Sequence, residues 1–184
     1  LRSSGYDFVI PLDVDEILYY HGEGGLKGFL QGLTKKDDIT TCRGYEVIHI
    51  PHLQEDLKAD EPWSNQIKYW YPEQQHFGKT LISRNQLDWV IGFHKYKINN
   101  VIERDWYVNP NLFLIHMHKI DFKTTIDRHL KWSSMKWSDE TIENGYNYHY
   151  RMTERSKVVD WYFEPILKNI IYPIPEATKN NLKI

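Results

Sequence analysis

The sequence predicts an α/β fold, a mixed sheet flanked by helices, and three observations carry that expectation. β-prone apolar runs at 7–12, 39–50, 79–83 and 112–118 alternate with segments whose apolar residues recur at helical spacing, at 26–33, 122–130 and 153–170. Gly, Asn and Pro clusters punctuate the joins. At 184 residues and 41% hydrophobic content the chain can bury a real core, which suits one domain over residues 1–172 followed by a tail at 173–184.

Each element has its own signal. Asp7–Leu12 reads as a buried strand that ends abruptly in Asp13, Asp15 and Glu16, because a buried strand has no cheap way to house carboxylates. His21-Gly22-Glu23-Gly24-Gly25 is a loop, and Leu26, Phe29, Leu30 and Leu33 then mark a short amphipathic helix. Ile39–Ile50 alternates like a strand or hairpin, and 52–70 reads as a long surface excursion punctuated by Pro62. Strands at Lys79–Ser83 and Leu112–His118 bracket turn-rich sequence. Asp121 suits a helix N-cap, with Phe122, Ile126 and Leu130 on one stripe after it. A short helix is expected over Asp139–Asn144, closed by Gly145, and a longer one over Thr153–Ile170 that Pro165 would kink or interrupt. The Pro- and Asn-rich tail after Pro173 is expected to fray.

Composition excludes several function classes. A formal charge of −2 with scattered Lys and Arg gives no footprint for nucleic acid or an anionic membrane. The single Cys42 rules out an internal disulfide, and no stretch approaches the roughly twenty apolar residues of a membrane span. A reducing, cytoplasmic setting is the expectation.

The acids point to metal chemistry. If extended geometry persists past the first run, Asp13 and Asp15 face the same way, with Glu16 opposite, and two convergent carboxylates make a hard-cation site. Glu16 has a second reading as an acceptor for neighbouring amides. Later in the chain come Lys79-Thr80-Leu81-Ile82-Ser83-Arg84, then Trp89-Val90-Ile91-Gly92-Phe93-His94, then Leu112-Phe113-Leu114-Ile115-His116-Met117-His118-Lys119-Ile120-Asp121. His116 and His118 share one strand face.

In this order, the Asp-x-Asp-Glu segment and the three later segments resemble the motifs of GT-A-fold glycosyltransferases, in particular the family 2-like group. The joint pattern covers about residues 6–132. The resemblance implies a GT-A-like, Rossmann-related sheet and transfer of a sugar from a nucleotide-diphosphate donor to a saccharide or related acceptor, with inversion as the first expectation and retention, which needs no catalytic base, as the alternative. It also implies an Mn²⁺ or Mg²⁺ ion held by Asp15, by Asp13 or its donor ribose contact, and by His116 or His118. Lys79 and Arg84 fall to donor binding, His94 to the donor phosphates or acceptor, and Asp121 to the catalytic base, with Glu46 and Glu73 as looser base candidates. Only twelve residues precede Asp13. A nucleotide-binding βαβ half needs about thirty, so the resemblance implies a domain truncated at its N-terminus.

Other readings stand beside this one. The same residues fit a carbohydrate-binding domain without turnover, or a metal-dependent hydrolase in which Asp13, Asp15, His116 and His118 hold a more permanent ion. His116 and His118 also fit a pair of hydrogen-bonded, partly buried histidines, and Asp121 a plain N-cap. Trp63, Tyr69, Trp70 and Tyr71 are placed for acceptor contacts, whereas Trp132, Trp137 and Trp161 are expected in the core and its rim.

Overall fold

A computed structural model describes residues 8–33, 39–72, 80–83, 88–89, 96–98, 101–103, 108–143, 145 and 148–182. In chain order the elements are β1 (Glu16–Tyr20), α1 (Gly25–Gly32), β2 (Ile39–Ile48), α2 (Trp63–Gln66), β3 (Tyr69–Pro72), β4 (Thr80–Ser83), β5 (Asp88–Trp89), β6 (Tyr96–Ile98), β7 (Val101–Glu103), β8 (Val108–Lys119), α3 (Phe122–Ser133), α4 (Asp139–Glu143), a 3-10 turn (Tyr148–Arg151), α5 (Arg155–Leu167), β9 (Tyr172–Pro173) and α6 (Glu176–Asn181). The fold class is mixed α/β. The chain divides into two compact units, Leu1–Glu46 with Pro72–Met117 and Val47–Tyr71 with His118–Ile184. Among the described residues no helix is long and apolar enough to cross a membrane.

In the first unit the strands lie in the order β1-β8-β2, with β4 also pairing β2. β1 and β8 are antiparallel, and Leu18 opposite Leu114 and Tyr20 opposite Leu112 put apolar side chains on one face. With Cys42 and Ile82, Leu18, Leu112 and Leu114 form a buried cluster that Tyr20 and Leu26, Phe29, Leu30 and Leu33 of α1 cover, as the helical stripe predicts. The rings of Tyr20 and Phe29 stack at 4.5 Å. Gly24 starts α1 with a φ of 74°, left-handed backbone that a glycine adopts without steric cost. A separate antiparallel sheet joins β5, β6 and β7 in sequence order.

The first strand is not where the apolar run places it. Within the described part of 7–12 there is only an isolated bridge at Val9, and the strand begins at Glu16, after the acids. The segment Asp13–Glu16 is a turn: the Glu16 amide donates to the Asp13 carbonyl (3.1 Å), and the Asp13 amide donates to the Glu16 carboxylate (2.9 Å). Glu16 is therefore the amide acceptor of its second reading. Asp13 and Asp15 lie in the entry to a strand and not at its exit, so strand alternation does not relate them. Phe8 and Ile10 still pack, partly buried, against the core.

The second unit holds the larger helices. Asp121 caps α3, its Oδ1 accepting from the Thr124 amide at 2.7 Å. The stripe of Phe122, Ile126 and Leu130 then packs with Ile48, Ile50, Val158 and Tyr162. The helix expected over 153–170 forms as Arg155–Leu167 and runs through Pro165. Proline cannot donate to the Trp161 carbonyl four residues before it. Lys119, 2% exposed, supplies the donor: its Nζ lies 2.9 Å from the Trp161 oxygen and 3.2 Å from that of Tyr162. The same ammonium sits 4.0 Å from the centre of the Trp161 ring, a cation–π contact. Asn169, at a φ of 52°, ends the helix, with its amide on the Ile166 carbonyl and the Ile170 amide on that of Pro165, a Schellman closure.

Two further expectations change here. The excursion at 52–70 is stitched by amide side chains: Gln54 accepts from the Ile50 amide and donates to the Gln66 carbonyl, while Gln66 bonds both backbone groups of Lys58. Of its aromatics, Trp70 is buried and Tyr69 and Tyr71, half-buried, pack on the Ile48 cluster, while Trp63 is half-buried. The tail is structured through residue 182. β9 pairs with β3, and Ile174, Thr178 and Leu182, spaced every fourth residue, are buried as α6 packs on α2.

Candidate metal site

Backbone pairing delivers the site. Beyond the β1–β8 register, which sets Glu16 opposite His116, the Met117 amide donates to the Asp15 carbonyl at 2.8 Å. That bond anchors the acidic turn beside the end of β8. The Asp15 Oδ2 atom then lies 3.5 Å from Nε2 of His116. On the other side of the imidazole, Nδ1 is 2.9 Å from Oε2 of Glu46 on β2. Glu46 is 3% exposed, and a carboxylate so buried needs a partner; His116 supplies one. One imidazole is thus held between two carboxylates.

The geometry suits a cation. Two ligand atoms 3.5 Å apart are close enough for both to bind one divalent ion at the usual bond length of about 2.1 Å. The donor set of carboxylate and imidazole belongs to borderline divalent metals.

The other sequence candidates are distributed as follows. Asp13 is exposed on the turn. His118 is buried in a ring cluster, stacked on His129 (centroids 4.9 Å) and 5.5 Å from Trp161, with its Nδ1 3.4 Å from the Tyr150 hydroxyl. Asp121 is the α3 cap. Lys79, Arg84 and His94 lie outside the described residues. Trp132, Trp137 and Trp161 line the same ring cluster as expected, Trp137 stacking on Tyr150.

The sequence reading missed His129. It is fully buried on α3, and its Nδ1 donates to the Thr125 carbonyl at 3.0 Å. Burial, the largest influence, lowers its pKa from 6.5 to about 4, and the nearby Arg128 and Lys119 charges push the same way against the Thr125 hydrogen bond. Its place among Ile126 and Leu130 at helical spacing was a signal for burial. The partnership of Glu46 with His116 was also missed; an acid in a strand flanked by buried Cys42, Val47 and Ile48 was the available hint.

Comparison of the chain with protein-family models, with curated proteins and with solved structures finds no match.

Proposed function

We propose that this chain acts as a GT-A-like, metal-dependent glycosyltransferase that moves a sugar from a nucleotide-diphosphate donor to a saccharide or related acceptor. The observation that carries the reading is the 3.5 Å approach of Asp15 to His116, two residues from separate segments of the motif series. A divalent cation, when bound, offsets the charge that develops on the departing nucleoside diphosphate. Asp15 and His116 would hold that ion. Asp13, exposed two residues before Asp15, would contact the ion or the donor ribose. Asp121, from the motif resemblance, is the proposed base for an inverting reaction.

The test is release of nucleoside diphosphate from nucleotide sugars with and without Mn²⁺. Release that requires Mn²⁺ and vanishes in Asp15→Ala supports the reading. Metal-indifferent sugar binding without release replaces it with a binding domain. A metal that survives dialysis in the absence of nucleotide replaces it with the metal-dependent hydrolase.

A further inference from the structure

We infer that Glu46 is a positioning residue that sets the tautomer of His116, turning its outward nitrogen into a metal ligand; this rests on the proposed Asp15–His116 site. A neutral imidazole carries one ring proton. In water that proton prefers Nε2, and Nε2–H would face Asp15 as a hydrogen-bond donor, with no lone pair for a metal. The Glu46 carboxylate accepts and cannot donate. At 2.9 Å from Nδ1 it therefore fixes the proton there and leaves the lone pair on Nε2, the nitrogen 3.5 Å from Asp15.

Burial makes the arrangement firm. Glu46 is almost inaccessible on β2, and its carboxylate orients the ring from a strand rather than from a mobile loop. A carboxylate behind a ligating imidazole also raises the basicity of the metal-facing nitrogen. The alternative geometry, with Nδ1 deprotonated and Glu46 itself on the ion, puts the proton on Nε2. The two arrangements are opposite tautomers, so they are separable by measurement.

The experiment uses the full chain, labelled with ¹⁵N-histidine and stripped of metal. Long-range ¹H–¹⁵N spectra are recorded at about pH 8, above the ordinary imidazole range, with His116 assigned from His116→Gln. The expected spectrum shows His116 protonated on Nδ1 in the wild type and shifted toward Nε2 in Glu46→Gln, a near-isosteric change. Mn²⁺ titration followed by electron paramagnetic resonance should then show affinity weakened about 10- to 100-fold in Glu46→Gln and partly recovered in Glu46→Asp. An Nε2-protonated His116 in the wild type overturns the inference, as does unchanged Mn²⁺ affinity in Glu46→Gln. Absence of Mn²⁺ binding by a wild type whose His116 carries its proton on Nδ1 sinks the metal reading instead, leaving the tautomer assignment standing.

Discussion

Lys119 Nζ lies 2.9 Å from the carbonyl oxygen of Trp161, the α5 acceptor that Pro165 cannot pair. A buried ammonium is thereby matched to a carbonyl that the helix has released. Lys119→Met should leave that oxygen unpaired and cost about 1–3 kcal/mol, the range for an orphaned buried group. In a Pro165→Ala background the alanine amide supplies the missing donor, so the same substitution should cost clearly less. Urea denaturation of the four proteins gives the coupling; an equal cost in both backgrounds would show that the proline has nothing to do with it.

Asp121→Ala should lower stability by about 1 kcal/mol, since the cap for the Thr124 amide goes. Asp121→Asn keeps an acceptor at the same place and should stay within a few tenths of the wild type. Comparable losses for both would mean that charge, not capping geometry, is what α3 needs. Because Asn preserves the cap, it is also the variant in which a fall in the proposed sugar transfer would report on a base rather than on folding.

Much of this was legible because it is local. The stripes of α1 and α3, the Asp121 cap, the β-prone run in β8 and the Glu16 acceptor each depend on neighbours a few residues away. β1 was misplaced for the opposite reason: the run ending at Leu12 is the more apolar segment, but the partner strand β8 selects Ile17–Tyr20, whose side chains match Leu112–Ile115. α6 was missed because the burial of Ile174, Thr178 and Leu182 is tertiary, and no local propensity of a Pro- and Asn-rich segment announces it. In the site, Asp15 and His116 were named from motifs. Glu46 was only a loose base candidate, because its contact with His116 is made across strands far apart in sequence.

Acid should weaken the fold through His129. Its folded pKa, about 4, lies below the unfolded value near 6.5, so between these limits the unfolded chain binds the extra proton. The stability from keeping this ring neutral is fully present above 6.5 and is lost as the pH falls toward 4. The whole effect is on the order of 3 kcal/mol. His129→Phe keeps a ring against His118 and Trp161 but cannot titrate. Urea midpoints at several pH values should therefore fall less steeply in the variant; parallel acid limbs would assign the loss to other groups, which both proteins share.

Metal linkage supplies the remaining prediction. If Asp15 and His116 share an ion, Mn²⁺ at about a hundred times its dissociation constant should add about 2.7 kcal/mol to unfolding. The gain requires both ligands at once, because neither alone holds a hard or borderline cation against water. Asp15→Ala and His116→Ala should each remove most of it, and the double variant should lose little beyond the worse single one, the non-additive pattern of groups that act as a unit. Denaturation with Mn²⁺ and with chelator reads each case. Independent, additive losses would mean that the two side chains respond to different ions or to none, and the 3.5 Å approach would then be an ordinary contact between a histidine and an acid at the mouth of β1.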